Sequence, residues 1–187
     1  MAVNLPKYLT QDELKRFFGV IRSPRDRALF GVIYHYGLRV DEAPMLSLED
    51  ANLKDNRIRL RRLKNGLGGE KPLWRDTAKA LRAYLRMRKD AGPYLFTGRQ
   101  GPLKKRQIQN LFHKYAKLAG ITGRSVHSLR HSIAVHLLYA GRGIEYVADH
   151  LGHRQIANTR IYAQISHPLR EQVFRELERH PKIVRVG

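Results

Sequence analysis

The stretch LGHRQIANTRIY, residues 151–162, ends on a tyrosine nine positions after a histidine, His153. A tyrosine placed like Tyr162 either packs a short helix against a core or offers its phenolic oxygen as a nucleophile. Three other stretches carry side chains that could support the second use. GLRVDE (37–42) places Arg39 directly after a helix stop and Glu42 three positions later. LKNG (63–66) puts Lys64 at a hairpin tip, from which a lysine can swing into a neighbouring groove, although alone it reads more simply as a solvated turn. HSLRHS (127–132) sets His127 and Arg130 three apart at a helix start, on one face. His127 and His131 also stand at i, i+4, a spacing that suits zinc. No glutamate lies between them as in HExxH, however, and the chain has no cysteine, so no metal is expected. His131 and His136 read as core or surface residues.

Composition narrows the partner. The 187 residues favour one domain, large enough to bury a core without disulfides or metals. The absence of cysteine rules out a disulfide framework, a thiolate nucleophile and a cysteine-ligated zinc, and suits a reducing compartment. The longest apolar run, ALFGVIY (28–34), is seven residues, far short of a membrane span. MAVNLPKYL lacks a signal pattern. A soluble protein of the cytoplasm, associated with the nucleoid and not with a membrane, is expected. The net charge is +20 and uneven: residues 56–144 hold 21 basic and 3 acidic side chains, whereas residues 1–55 hold 8 of each. A segment this basic points to a polyanion, with phosphate contacts supplying affinity.

The elements that must position these side chains follow from periodicity. Thr10 and Glu13 have capping-box spacing, ahead of a helix with Leu14, Phe17, Phe18 and Ile21 on one face. Asp26–Tyr36 reads as a buried helix stopped by Gly37. RIRLRRL alternates as a strand, Ile58 and Leu60 on one side, Arg59 and Arg61 on the other; with EKPLW as return strand, residues 50–74 form a small antiparallel sheet. Asp76 caps a helix carrying Leu81, Tyr84 and Leu85, and Lys104–Ala119 carries Ile108, Leu111, Phe112 and Tyr115. Ser128–Ala140 is apolar on most sides. IEYVADHL and QIANTRIYAQI are shorter helices around Gly152, and PLREQVFRELERH opens a last helix, in the segment about 168–187. The fold class is mainly α with a small antiparallel β-sheet (α+β), in one domain spanning 1–187.

Taken jointly, the spacings are specific. HSLRHSIAVHLLYAGRGIEYVADHLGHRQIANTRIY resembles the catalytic core of the tyrosine recombinases, or phage integrases, whose pattern is H-x-L-R-H, a glycine-ended helix, L-G-H and T-x-x-Y. GLRVDE resembles the family's first arginine box, and RRLKNG the hairpin that carries its lysine. The resemblance runs from about Leu9 to about Leu177. Most relatives carry a helical core-binding domain ahead of the catalytic one; here the catalytic pattern starts near residue 9. In size the chain is similar to the short fimbrial-type DNA inversion recombinases, with a segment of a longer enzyme as the competing explanation. HYGLR also replaces the family's TGLR, a change that leaves the arginine in place.

The resemblance implies that Tyr162 attacks a DNA phosphodiester and forms a 3′-phosphotyrosyl linkage. Arg39 and Arg130 would clamp the nonbridging oxygens. His127 and His153 would donate hydrogen bonds to the same oxygens, and one could take the tyrosine proton. A cationic site would favour the phenolate. Lys64 would protonate the departing 5′ oxygen, with Lys71 a weaker candidate, and Glu42 would orient Arg39 or a histidine. Bond energy stored in the linkage makes a cofactor or metal unnecessary. Arg57, Arg59, Arg61, Arg62, Lys104, Lys105 and Arg106 are expected on the DNA backbone, positioning without specifying sequence. Tyr34, Tyr84, Tyr115, Tyr139 and Tyr146 are assigned to the core. Strand exchange implies double-stranded DNA and a homo-tetramer on it, from subunits that could be monomeric in solution, with the last helix closing its own core or docking on a neighbour and an accessory DNA-bending protein as a possible partner. Two alternatives stay open: a type IB topoisomerase-like enzyme, and a non-catalytic DNA-binding regulator in which residues 155–165 form the recognition helix of a helix-turn-helix.

Overall fold

The computed structural model describes residues 6–63, 66–98 and 100–163. Seven α-helices are present among them: α1 (Gln11–Val20), α2 (Pro24–His35), α3 (Arg75–Met87), α4 (Lys105–Leu118), α5 (Val126–Tyr139), α6 (Ile144–Leu151) and the single turn α7 (Arg160–Ala163). Strands β1 (Ala51–Asn52), β2 (Arg57–Leu60) and β3 (Gly69–Pro72) make an antiparallel sheet in the order β1-β2-β3. A second antiparallel pair, β4 (Thr97–Gly98) and β5 (Gly101–Pro102), is too short to show in the sequence as an alternating run.

Local chemistry accounts for the boundaries. Thr10 and Glu13 form the expected capping box at α1, and Ser23 caps α2 ahead of Pro24. In β2 the side chains alternate as expected, Ile58 and Leu60 buried, Arg59 and Arg61 exposed. Gly37 ends the α2 region at φ 55°, and a Cβ there would stand 2.5 Å from Leu151 Cδ2, so the α2 exit and the α6 end approach closely only because the residue is glycine.

Phe17, Phe30, Phe112 and Tyr115 from α1, α2 and α4 knit the larger core, with Phe17 and Phe112 ring centroids 5.1 Å apart. A second cluster joins Ile133, Leu137 and Leu138 of α5 to Val147 and Leu151 of α6 and to Tyr162 of α7. The helix α5 lies between the two, which is why it is apolar on most sides: from Val126 to Leu138 eleven of its side chains are buried.

Several expectations are corrected. Asp76 lies in the first turn of α3 but makes no cap; the N-cap is Trp74. Tyr84 and Tyr115 are buried as expected, whereas Tyr139 and Tyr146 are 39% and 50% exposed, because the α5 end and the α6 start lie at the surface. Residues 155–163 do not form one recognition helix: a 3-10 turn (Ile156–Thr159) runs into α7, and Thr159 and Tyr162 point into the fold. The expected last helix, about 168–187, lies outside the described residues.

Candidate active site

The loop after α2 supplies the first part of the site. Glu42, 1% exposed, accepts four hydrogen bonds: Arg39 N to Oε2 at 2.8 Å, Arg39 Nη1 to Oε1 at 2.8 Å, Arg62 Nη1 to Oε2 at 3.0 Å and Leu63 N to Oε1 at 3.1 Å. Burial by itself would raise this carboxyl, but the hydrogen bonds from Arg39 and Leu63 and the Arg62 charge outweigh it and hold Glu42 below the usual glutamate range.

Arg62 was expected on DNA backbone, and the structure corrects this. Its side chain is 1% exposed. Besides Glu42, its Nη2 donates to Tyr36 O at 2.8 Å and His150 O at 3.0 Å, and its Nη1 to Gly37 O at 3.4 Å. The arginine thus rivets the end of β2 to the exits of α2 and α6. Period-two alternation would set Arg62 on the same side as Ile58 and Leu60, the one signal that pointed inward.

Arg130, on α5, is 5% exposed. Its guanidinium donates to Gly37 O, to Leu151 O at 3.1 Å and to His153 Nε2 at 2.8 Å. Because an arginine only donates, His153 Nε2 must accept; its Nδ1 then carries the proton and donates to Thr159 Oγ1 at 2.8 Å. Burial, then the charges of Arg39 and Arg62, push Arg130 down to about 10, so it stays cationic at neutral pH. Three guanidiniums around one carboxylate leave this partly buried site with surplus positive charge, which favours an arriving anion.

Tyr162 reaches the same site from α7. It is 3% exposed, and its hydroxyl lies 2.7 Å from His131 Nδ1. Burial raises the phenol above its ordinary value; Arg130 and Arg39 pull the other way and do not prevail. The two arginines thus act in the expected direction, toward the phenolate, but burial outweighs them. His127, exposed in the first turn of α5, is lowered by burial, by Lys105 and by the two arginines, with Asp41 opposing.

The structure therefore brings together Arg39, Glu42, Arg130, His153 and Tyr162, with His127 at the rim. Lys64 lies outside the described residues, but both flanks of its loop are tied to the site, Leu63 N to Glu42 and Leu67 N to Gly152 O at 3.2 Å. Lys71 is engaged elsewhere, 3.1 Å from Asp149 Oδ2. Arg59, Lys104 and Arg106 are exposed; Arg57, Arg61 and Lys105 pair with Glu70, Asp50 and Asp41 and keep 40%, 51% and 51% of their side chains exposed. Sequence reasoning missed three members: Arg62, Thr159 and His131, the last read as a core or surface residue once a metal had been set aside.

The sequence profile of the Phage integrase family matches residues 7–168. The chain is 34% identical over 167 residues to tyrosine recombinase XerA of Pyrococcus horikoshii, covering 87% of this chain and 58% of that protein. It is 36% identical over 195 residues to tyrosine recombinase XerC of Neisseria gonorrhoeae, covering 97% and 62%. The chain thus spans about three fifths of the length of these relatives. Among solved structures, the crystal structure of XerA recombinase superposes with a TM-score of 0.81 at 28% identity, over 94% of this chain and 66% of that one. XerH site-specific recombinase bound to palindromic difH substrate, in a post-cleavage complex, shares the fold with a TM-score of 0.75 at 23% identity, over 91% of this chain and 53% of that one.

Proposed function

The chain belongs to the phage integrase family, and from that premise we propose that it cleaves and rejoins double-stranded DNA as a site-specific recombinase. The observation that carries the reading is the convergence of Arg39, Arg130, His153 and Tyr162, from four separate segments, on one site of surplus positive charge. A phosphodiester carries the charge such a site lacks. Arg39 and Arg130 hold its nonbridging oxygens, held themselves by Glu42 and by the carbonyls of Gly37 and Leu151, so that little reorganisation is needed as charge grows in the transition state. The Tyr162 oxygen attacks phosphorus, the bond to the 5′ oxygen breaks, and that oxygen takes a proton from Lys64. Reversal by another strand's 5′ hydroxyl rejoins the DNA, so the covalent linkage conserves the bond without a cofactor.

The exposed Arg59, Arg61, Lys104, Lys105 and Arg106 track the DNA backbone. Exchange of four strands calls for four subunits on DNA, and inversion, integration and excision are its three outcomes. Its place is the cytoplasm, with the nucleoid; among the described residues no helix is long and apolar enough to cross a membrane. The test is to incubate the protein with nicked suicide duplexes of candidate sites, in EDTA, and to look for a denaturation-resistant protein–DNA adduct. Wild type should form it and Tyr162→Phe should not. Tight, salt-sensitive binding with no adduct on any duplex would instead support a DNA-binding regulator.

A further inference from the structure

The proposed reaction leaves open what removes the Tyr162 proton, and the two histidines of the expected site are poorly placed for it. His153 Nε2 accepts from Arg130 and its Nδ1 is committed to Thr159 Oγ1, so neither ring nitrogen has a lone pair turned to the phenol. His127 is exposed at the start of α5, and among the described residues no hydrogen bond joins it to the phenol. His131 is different: its Nδ1 lies 2.7 Å from the Tyr162 hydroxyl, and the two rings meet with centroids 5.7 Å apart. We propose that His131 is a catalytic residue, the base whose Nδ1 takes the phenolic proton as Tyr162 attacks phosphorus.

This assignment rests on the recombinase reading. In the step, the Tyr162 O–H bond breaks, its proton passes to His131 Nδ1, the tyrosyl O–P bond forms and the P–O5′ bond breaks, with the 5′ oxygen protonated by a separate acid. Rejoining runs the proton back from the imidazolium to the departing phenolic oxygen. The tautomer this needs, Nε2–H with a free lone pair on Nδ1, is the one a neutral phenol donating to Nδ1 selects. Burial, then His127 and Arg130, hold His131 down to about 4, so the ring is neutral and open to a proton at physiological pH. The titratable and charged groups facing it are His127 and Arg130 on its own helix and Tyr162 on α7; Tyr162 in turn feels Arg39. A phosphodiester docked on Arg39 and Arg130 offsets the positive charge that depresses His131 and so strengthens the base when it is required. Transfer concerted with attack also removes the need for a free phenolate, which this buried phenol resists.

The experiment measures adduct formation on a suicide duplex from pH 5.5 to 9 for wild type, His131→Gln and His131→Ala, with duplex affinity and thermal midpoint as controls. Both variants should bind the duplex as wild type does and cleave it roughly 100-fold or more slowly, the scale of a lost general base. Wild type should be nearly flat from pH 6 to 8. The variants should speed up by about tenfold per pH unit there, since hydroxide must then ionise the phenol in advance. Added imidazole should restore part of the His131→Ala rate. A folded variant that cleaves as fast as wild type or faster, or one slowed with an unchanged pH profile and no rescue by imidazole, overturns the assignment and leaves His131 a mere anchor for the tyrosine. If wild type itself gives no adduct, the recombinase reading fails and takes this inference with it; an adduct lost in Tyr162→Phe but not in the His131 variants sinks the inference alone.

Discussion

Glu42 shows how much one side chain can decide. It holds Arg39 through two hydrogen bonds, reaches Arg62 and the Leu63 amide as well, and offsets part of the charge of three guanidiniums. Glu42→Gln keeps the shape but turns an amide N–H toward arginine donors. Breaking a buried pair in this way should cost about 3–5 kcal/mol of folding stability. It should also slow DNA cleavage, since Arg39 loses its anchor. The pH dependence has a definite sign. A carboxyl held below its unfolded value, about 4.3, contributes its full stability above that pH and loses it as pH falls through the lower folded value. The wild-type advantage over Glu42→Gln, followed by denaturant unfolding, should therefore be constant from about pH 8 to 5 and close below about pH 4. An advantage that persists unchanged at pH 3 would refute the charge account. Glu42 was readable in the sequence as a partner for Arg39 because they stand three positions apart; its contact with Arg62, twenty positions away, was not.

At the scale of elements, the site is a junction of three ends. The exit of α2, the end of β2 and the end of α6 meet at Arg62, Gly37 and Gly152. Gly152 adopts φ 69°, and a Cβ there would come within 2.7 Å of Leu67 O and 3.0 Å of Arg62 Nε. Gly152→Ala therefore strains the backbone and pushes on the β2–β3 loop and the Arg62 rivet together. Left-handed strain costs about 1–2 kcal/mol, and the displaced loop adds to it. The expected outcome is a lower thermal midpoint and at least a tenfold slower cleavage of a suicide duplex, with non-specific duplex binding unchanged in a filter-binding assay, because the exposed basic side chains lie elsewhere. Equal losses of binding and cleavage would argue that the glycine serves the DNA surface. The sequence showed Gly152 as a helix stop, a local property of the chain. That the stop also had to admit a second loop was invisible, since nothing near residue 152 names Arg62 or Leu67.

The whole molecule carries a liability in acid. Burial is the leading cause that lowers His35, His131, His150 and His153, each to about 4. In the unfolded chain a histidine titrates near 6.5, at about the model-peptide value. As pH falls from about 6.5 toward 4, the unfolded chain therefore binds up to four protons that the folded chain refuses, and stability drops by up to about 5 kcal/mol per pH unit near pH 5. The stability is complete above pH 6.5 and lost on the way down, the direction set by folded values below unfolded ones. Urea unfolding at pH 7, 6, 5.5 and 5 measures it; a midpoint unchanged between pH 7 and 5 would mean that these rings are not buried neutral. The net charge of +20 adds self-repulsion in the same direction.

Taken by itself, the sequence determined what is local or regular in spacing. Capping at Thr10 and Glu13, the alternation of β2, the glycine stops and the joint spacing of Arg39, His127, Arg130, His153 and Tyr162 follow from periodicity, turn chemistry and a recognisable order along the chain. Tertiary structure decided what depends on distance through space. Arg62 left the DNA-facing set for the interior because three carbonyls and a carboxylate from remote segments could pair both of its terminal nitrogens there, although its buried Nε has no partner. Tyr162 proved to be a raised, buried phenol, and its nearest partner was His131, because burial and proton position depend on which atoms surround a group and not on its place in the chain.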